Sequence, residues 1–230
     1  MIGDEFGRAI QSQVGADPLS PLSLRQLCAA CGEVTALRAS IVLMGERNRQ
    51  AASGASEGAT EVEELQFTLG EGPGVDAYAD GRPVLVEDLT TMSDRWTQFV
   101  PAAQLLGVGA VFAFPLQVGA IRTGVLSLYS ESVHLLSGEK GLELLILADL
   151  VTEAVLAMQS GAGPEELART LSEATEHPSI VHQATGMVAM QLDCPVQDAL
   201  SRLRGRAFLD GVGLEQLARR VVDRAVRFEP

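Results

Sequence analysis

The sequence is poor in the side chains that most often carry catalysis or bind metals. It has three cysteines and three histidines, too scattered for the disulfide framework of a small secreted domain, a metal site or a general-base pair. Cys28 and Cys31 form a C-x-x-C in an apolar, helix-like stretch that lacks a second pair of Cys or His ligands. We therefore expect these thiols to be small core residues in a protein without a metal site or catalytic residues, and the sequence identifies no cofactor.

Positive charge and long apolar runs are also scarce. The 17 Lys and Arg residues face 30 Asp and Glu residues, a balance that argues against a protein that coats nucleic acid non-specifically. The shortage of basic side chains is uneven along the chain, because residues 177–230 carry seven basic and six acidic side chains. No apolar run approaches the roughly 18 residues of a membrane span, and Asp4 and Glu5 stand where a signal peptide carries positive charge. We expect a cytoplasmic protein whose C-terminal part is electrostatically distinct.

The hydrophobic pattern predicts two folded domains. The chain is longer than the roughly 100–200 residues typical of one domain, and 47% of its residues are apolar. Helices are predicted from Leu19 to Val34 and from Ser137 to Gln159, with β-rich runs but no regular strand–helix alternation between them. Those runs are ALRASIVLMG, VEELQFTLG, RPVLVEDL, GVGAVFAFPLQV and TGVLSLYS. The first domain, predicted over residues 1–160, is therefore an α+β fold with a mainly antiparallel sheet.

The predicted helix from Ser137 to Gln159 is apolar on more than one face. One stripe and its flanks are Leu142, Leu145, Ala148, Val151, Val155 and Met158, and other faces carry Leu144, Ile146, Leu147 and Leu150. One face of a sheet cannot cover so much apolar surface. We therefore expect a homodimer in which the long apolar helices at the two ends of the first domain pair.

The segment SGAGPEEL suits a joint between domains, with the boundary near Gly161–Gly163. Beyond it, residues 164–230 predict an all-α domain of three helices. The first runs from about Pro164 to Leu192 with a break near Pro178, the second opens at Pro195, and the third follows DGVG. The residues expected inward on the second helix are Val196, Ala199, Leu200, Leu203 and Ala207. Those expected inward on the third helix are Leu214, Leu217, Ala218, Val221 and Ala225.

The segments LQFTLGEGPGVDAYADGRPVLVEDL, DRWTQF and FPLQVGAIRTGVLSLY resemble the GAF domain of a large group of actinobacterial regulators. The resemblance covers about residues 20–160 and implies a sensor with a small-molecule pocket near GEGPG, which would involve Gly72, Gly74 and Trp96. Relatives often carry Cys at the position of Gly74 and Pro at that of Thr97. The alternatives are that GEGPG is a plain turn and that Trp96 packs on the rim of the sheet.

The C-terminal segments IVHQATGMVAM, DALSRLRGRAF and LEQLARRVV resemble the ANTAR module, a three-helix RNA-binding domain that promotes transcription antitermination. Many relatives carry Lys at the position of Thr185, so one phosphate contact of that family is weakened here. The resemblance implies RNA binding by His182, Gln183, Thr185, Gly186, Arg202, Arg204 and Arg206.

The same residues favour nucleic-acid contact on physical grounds. With Ile180, Ala184, Met187 and Gln191 turned inward, the opposite face of the first helix is His182, Thr185, Gly186 and Ala189. This face has little bulk, so a partner could approach it closely. A mid-helix Gly costs about 0.8–1 kcal/mol against Ala, and either close helix packing or ligand approach would explain Gly186. Arg202 and Arg206 lie one turn apart and can pair with phosphates or stack on unpaired bases.

The sequence therefore predicts a transcription antitermination regulator that binds hairpin loops of nascent transcripts under the control of a signal-sensing GAF-like domain. One alternative is a DNA-binding regulator whose last helices form a helix-turn-helix, with Gln216, Arg219, Arg220 and Asp223 in the major groove. Another is an enzyme or a ligand-binding module whose C-terminal helices only mediate dimerisation. A comparison of duplex and hairpin binding separates these hypotheses.

Overall fold

A computed structural model describes residues 2–14, 22–44, 50–119, 121–161 and 180–229. The helices of the first part are α1 (Ile2–Val14), α2 (Leu24–Thr35), α3 (Thr60–Leu69), α4 (Pro73–Asp80), α5 (Phe99–Leu105) and α6 (Gly138–Gln159). The strands are β1 (Arg38–Met44), β2 (Gln50–Ala55), β3 (Val84–Val86), β4 (Ala110–Val118) and β5 (Ile121–Ser130). A 3₁₀ turn spans Leu89–Met92. The last helices are α7 (Ile180–Leu192), α8 (Val196–Leu209) and α9 (Leu214–Val222).

The described strands form one antiparallel sheet in the order β2-β1-β5-β4-β3. Two neighbouring pairs fix the register at its centre: Ile41 of β1 lies opposite Leu126 of β5, and Phe112 of β4 lies opposite Leu128 of β5. The prediction of an α+β fold with an antiparallel sheet is confirmed. Strand β2 was missed, because QAASGA has little of the β-branched and aromatic character that predicts a strand.

Helices cover both faces of the sheet. On one face, α1, α2 and α6 pack over a core that includes Phe6, Leu27, Phe112 and Phe114. On the other, α3 and α5 enclose a second core around Trp96, and α4 packs on β4 and β5. Polar groups on the second face of the sheet therefore lie between the strands and the short helices α3, α4 and α5.

Helix α6 confirms the helix predicted at Ser137–Gln159, and the Ser137 hydroxyl caps it by accepting from the Lys140 N–H. Its apolar faces are covered within the chain by β4, α1, α2, α7 and α8. The buried residues of α6 are Gly141, Leu144, Leu145, Leu147, Ala148, Leu150, Val151, Thr152, Ala154 and Val155. The apolar excess that predicted a homodimer thus has a partner inside the same chain.

One predicted strand is wrong. The run VEELQFTLG, which the sequence analysis predicts to be β-rich, forms α3. Val62 and Gln66, four residues apart, are buried while Phe67 is 68% exposed, which is helix periodicity. Acidic residues in the first turn and Gly70 in the left-handed conformation at the end favour that helix.

The N-terminal part of the chain also differs from the prediction. Helix α1 was missed, although Ile2, Phe6, Ala9 and Ile10 recur at helical spacing and are all buried. Helix α2 begins at Leu24 after a capping box of Ser23 and Gln26; the predicted start at Leu19 lies outside the described residues.

The three C-terminal helices share a core of their own. Pro195 precedes α8, and all five residues expected inward on α8 are buried. On α9, Leu217, Ala218 and Val221 are buried as predicted, but the exposed Ala225 is replaced in the core by Val226. The reason is that α9 ends at Val222 and Arg224 adopts a left-handed φ of 59°. Residues 162–179, which hold most of the predicted domain boundary and the predicted helix start near Pro164, lie outside the described residues.

Candidate functional site

The glycine-rich segment Gly70–Gly74 connects two helices. Gly70 ends α3 at φ 65°, Gly72 has φ 135°, and Pro73 opens α4. The Glu71 carboxylate accepts the N–H groups of Gln98 and Phe99 at 2.7 and 2.8 Å, so it caps the start of α5. The segment forms a turn between two helices and ties α3, α4 and α5 together.

A chain of hydrogen bonds runs from this segment into the sheet. The Gln66 amide oxygen accepts the Gly74 N–H at 2.8 Å, and its Nε2 donates to the Tyr129 hydroxyl at 3.0 Å. Tyr129 donates to Glu63 Oε2 at 2.6 Å, and the Ser40 hydroxyl donates to the same oxygen at 2.6 Å. Sequence reasoning missed this network, which joins residues far apart in the chain; we call it the sensor network.

The sensor network is sensitive to protonation. Burial raises the pKa of Glu63, and the hydrogen bonds from Ser40, Tyr129 and Gln66 oppose that rise. Burial, followed by the nearby charge of Glu63, raises the pKa of Tyr129. The Tyr129 hydroxyl therefore keeps its proton and donates a hydrogen bond. The charge of the Glu63 carboxyl group depends on which of its hydrogen-bond partners remain in place.

The predicted ligand residues Gly72 and Gly74 lie against the sensor network. A Cβ on Gly72 would stand 2.6 Å from Gln66 Oε1, and one on Gly74 would stand 3.1 Å from the Gln66 amide and 3.2 Å from Ser127 Oγ. The absence of side chains at 72 and 74 thus makes room for Gln66. A cysteine at position 74 would displace that amide. Ligand contact by Gly72 and Gly74 stays a prediction.

Trp96 is part of the core on this face, with 2% of its surface exposed. Its indole Nε1 donates to Asp76 Oδ2 at 3.0 Å, and Arg95 forms an ion pair with the same oxygen at 2.8 Å while lying 4.8 Å from the indole centroid. Phe99 packs edge-on at 6.4 Å. The alternative of structural packing describes what Trp96 does here, and a ligand contact by Trp96 stays a prediction.

The segment GASEG, Gly54–Gly58, has the G-x-S-x-G spacing of a nucleophile elbow, so the expectation that the sequence contains no such motif is wrong. The Ser56 hydroxyl accepts the Ala39 N–H at 2.8 Å, and the Ser56 N–H donates to the Ala39 carbonyl at 2.8 Å. Of the histidines that the structure describes, His134 packs on Phe112 and His182 lies beside Asp149. Ser56 continues the pairing of β1 with β2 and has no imidazole base among these contacts.

Two of the three cysteines, Cys28 and Cys31, are core residues. Cys28 and Cys31 are fully buried, as predicted, and burial raises the pKa of Cys28 to about 12. No group of three or more His, Cys, Asp or Glu in the described ranges is placed to hold a metal ion. Among the helices described, none has the length and apolar character to cross a membrane.

The predicted RNA-binding residues divide into two sets. Gln183, Arg202 and Arg206 are exposed, and we call them the exposed set. The Arg206 guanidinium binds both carboxylate oxygens of Asp210 at 2.9 Å. The third-helix residues that the DNA-binding alternative requires, Gln216, Arg219, Arg220 and Asp223, are exposed as well.

The other four residues, His182, Thr185, Gly186 and Arg204, are buried or half-buried, and we call them the docked set. His182, Gly186 and Arg204 contact the first part of the chain. His182 and Thr185 are 6% and 0% exposed, and a Cβ on Gly186 would stand 3.1 Å from Leu142 of α6. Arg204 Nη1 donates to the Gly81 carbonyl at 3.1 Å.

The expectation that the first C-terminal helix has an open, bulk-free face is therefore wrong in this arrangement. Helix α7 packs on α6 through one side and on α9 through another, so both of its sides are covered. Close helix packing, the alternative considered for Gly186, is what the structure shows at that residue. RNA binding by the docked set stays a prediction and requires α7 to separate from α6.

A cavity of about 530 Å³ lies where the first part of the chain meets the C-terminal helices. Arg82 and Arg122 are exposed at its rim, and Arg204 enters from α8. Its other lining residues are Asp80, Gly81, Pro83, Phe114, Pro115, Gln117, Gly119, Leu145, Ala148, Asp149, Val181, His182, Leu200 and Leu214. Sequence reasoning missed this junction cavity, because no local pattern places these elements together.

Comparison with known proteins assigns the first part of the chain. The sequence profile of the GAF domain matches residues 24–156, more than half of the chain. No curated protein matches the chain.

Solved structures show GAF domains with a similar course. The GAF domain of the Acinetobacter phosphoenolpyruvate-protein phosphotransferase is 15% identical, covering 76% of this chain and 94% of its own, with a TM-score of 0.43. The GAF domain of Nlh2 from A. aeolicus, in an inactive state, is 15% identical over 69% and 96%, with a TM-score of 0.46.

A third structure is free methionine-R-sulfoxide reductase from Neisseria meningitidis with its substrate, 18% identical over 70% of this chain and 92% of its own, with a TM-score of 0.46. Identities and TM-scores this low transfer neither a ligand nor an activity. The profile match and the five-stranded antiparallel sheet, flanked by helices on both faces, agree on the same assignment. The chain belongs to the GAF domain family, whose members are sensor domains of the ligand-binding kind.

Proposed function

We propose that this chain is a non-enzymatic transcription antitermination regulator, in which ANTAR-like C-terminal helices bind RNA hairpin loops under the control of the GAF domain. The observation that carries the proposal is the exposed pair Arg202 and Arg206, one helical turn apart on a three-helix unit with its own core. Guanidinium groups at this spacing can pair with neighbouring phosphates or stack on unpaired bases.

The charge distribution supports a nucleic-acid partner for the C-terminal helices. Residues 177–230 have a net charge of +1 in a chain whose net charge is −13. An acidic GAF domain repels phosphate, so contact with a polyanion is favoured only where the arginines lie. The small net charge of the C-terminal helices fits recognition of a defined loop better than binding to any strand.

The surface of α8 also offers a platform for an unpaired base. Phe208 is 86% exposed, and it follows Gly205 by three residues, so the two lie on the same side of the helix. A Cβ on Gly205 would meet open space. An aromatic ring beside a position without a side chain, next to Arg206, suits the stacking of a splayed loop base.

The docked set supplies the control. In the arrangement described, His182 and Gly186 lie against α6, Thr185 is buried, and the α4–β3 connection holds Arg204 through the Gly81 carbonyl. A signal that separates α7 and α8 from α6 would add these residues to the RNA-binding surface. The GAF domain then regulates the extent of the RNA contact.

A homodimer is the remaining part of the proposal, and it needs a different basis from the predicted one. Helix α6 is covered within the chain. Pairing of two copies through α6 therefore requires that the second copy displace either α1 or the pair α7 and α8 from it. Sedimentation equilibrium at micromolar concentration tests it: a dimer is expected, and a monomer at all concentrations would remove the homodimer from the account.

The experiment that tests the function starts from the RNA that co-purifies with the full chain. We expect sequencing of that RNA to show hairpins, and fluorescence anisotropy with one such hairpin to give tighter binding than a duplex DNA of equal length at the same salt concentration. Equal or tighter binding to the duplex would favour the helix-turn-helix alternative through the exposed side chains of α9. No binding to either would leave a GAF module without a nucleic-acid output.

A further inference from the structure

The junction cavity has the dimensions and the walls of a small-molecule site. Its volume of about 530 Å³ lies within the roughly 300–1,000 Å³ of typical ligand pockets. Apolar side chains from the sheet, α6, α7 and α8 form part of the lining, namely Phe114, Leu145, Ala148, Val181 and Leu200. This site is separate from the sensor network, which joins α3 and α4 to β1 and β5 and shares no residue with the cavity.

Three arginines converge on the cavity, and backbone carbonyls fix the position of two of them. Arg122 donates through Nη1 to the carbonyls of Tyr78 and Ala79 at the end of α4. Arg204 donates through Nη1 to the Gly81 carbonyl at 3.1 Å. A guanidinium has five N–H donors, so one anchored nitrogen leaves others for a ligand. Arg82, which is exposed at the rim, follows Gly81 directly.

The electrostatics of the cavity favour an anion. Burial, and then the positive charge of Arg82, lower the pKa of Arg204, while Asp149 opposes the shift. Two like charges that lie near each other, one of them partly desolvated, are stabilised by a negative group between them. Asp80 and Asp149 also line the cavity, so three guanidinium groups face two carboxylates. Burial, followed by Arg204, lowers the pKa of His182 to about 4, so His182 is neutral at pH 7.

We propose that the junction cavity binds a small organic anion, with its phosphate or carboxylate group on Arg82, Arg122 and Arg204 and its apolar part against Leu145 and Leu200. Arginine forks match the geometry of both anionic groups. The ligand contacts the GAF side and the C-terminal helices at once, so its binding stabilises their contact. The inference does not rest on RNA binding.

The test uses the full chain and phenyl phosphate as the probe, with phenol as its neutral counterpart, in isothermal titration calorimetry. We expect phenyl phosphate to bind at least about tenfold more tightly than phenol, because charge-assisted hydrogen bonds to the arginines are absent for phenol. Arg82→Gln, at an exposed position that tolerates substitution, should weaken binding about tenfold. Arg25→Gln on α2, also exposed and remote from the cavity, should leave it unchanged.

A second readout keeps the outcome independent of any change in folding. Hydrogen exchange of α8 should slow when phenyl phosphate is added to the wild-type chain and not when it is added to Arg82→Gln. The proposal is overturned by no binding at millimolar phenyl phosphate, by equal affinity for phenol, or by equal affinity in Arg82→Gln. Because no RNA is present, these results leave the proposed function to its own test.

Discussion

The GAF domain and the C-terminal helices arrange their polar side chains in opposite ways. In the GAF domain, Gln66 and Tyr129 are buried and join Glu63 in the sensor network. On the C-terminal helices, Arg202 and Arg206 are exposed. A buried hydrogen-bond network fixes one conformation, and that conformation changes when one hydrogen-bond partner is replaced. Exposed guanidinium groups, by contrast, can contact a macromolecule. The contrast fits the proposal that sensing and output are placed in different parts of one chain.

The contact between the two parts has an intermediate character. Two members of the docked set make polar contacts across the junction: Nδ1 of the neutral His182 lies 3.5 Å from Asp149, and Arg204 donates to the Gly81 carbonyl. Separating such a contact costs less free energy than separating an apolar core and more than separating an exposed ion pair. The junction is therefore where a change in the GAF domain can reach the C-terminal helices.

The largest effect is expected from filling the space beside the sensor network. Gly72→Ala should lower the free energy of unfolding by about 2–4 kcal/mol, because alanine is strained at φ 135° and its Cβ would stand 2.6 Å from Gln66 Oε1. Gly70→Ala is the matched control, with a positive φ but open space around it, and should cost about 1 kcal/mol. Denaturant unfolding measures both, and equal costs would show that the network does not fill this space.

A second substitution acts at the junction. Gly186→Leu should force α7 away from α6, since even a Cβ there would stand 3.1 Å from Leu142, at a cost of about 1–3 kcal/mol. Met190→Leu, on the same helix at a position 86% exposed, should change stability by less than about 0.5 kcal/mol. Hydrogen exchange of α7 is the measurement: faster exchange is expected in Gly186→Leu alone, and identical exchange in both variants would contradict the docking of this face.

The third prediction concerns pH. Burial raises the pKa of Glu63, so the folded chain keeps this proton at pH values where the unfolded chain has lost it. The contribution of Glu63 to the free energy of unfolding therefore falls as the pH rises from the ordinary carboxyl range to the raised pKa. Glu63→Gln keeps an acceptor for Ser40 and Tyr129 and should remove this slope from urea unfolding curves. Glu61→Gln, exposed on the same helix, should retain it, and a slope unchanged in Glu63→Gln would exclude Glu63 as the titrating group.

The smallest effect should have the opposite sign. Gly205 lies inside α8, where an added Cβ meets open space, so Gly205→Ala should raise the free energy of unfolding by about 0.5–1 kcal/mol through helix propensity. Gly211, with φ 65°, is the control, and Gly211→Ala should destabilise. Thermal unfolding compares them. A destabilised Gly205→Ala would mean that this side of α8 is covered.

Local patterns in the sequence were enough to predict several of the elements. Strands β1 and β5 and helices α6 and α8 follow from the spacing of their apolar residues and from Ser137 and Pro195 at the helix starts. The run that forms α3 was ambiguous because Leu65, Phe67 and Leu69 alternate, while the signals for a helix are the acidic first turn and Gly70. Where two periods fit one short run, tertiary contacts decide.

The candidate sites were less accessible to sequence reasoning. The Gln66–Tyr129–Glu63 network and the three-arginine cavity join residues far apart in the chain, and no local period encodes such contacts. The sequence predicts that the face of α7 with His182 and Gly186 is open to a partner because it lies opposite the stripe expected inward, but its small residues also suit close packing on α6. When two faces of a helix can be buried, the sequence of that helix does not show which element packs on each face.

The measurement that tests the account most directly is the salt dependence of hairpin binding. For the wild-type chain and Arg202→Gln/Arg206→Gln, anisotropy titrations with one co-purified hairpin give the slope of log affinity against log salt concentration. Each lost phosphate contact should make the slope shallower by about 0.7–0.9 and weaken binding by about 1–3 kcal/mol, with Arg25→Gln unchanged. An affinity and a slope equal to those of the wild type in the double variant would contradict RNA binding through the exposed set.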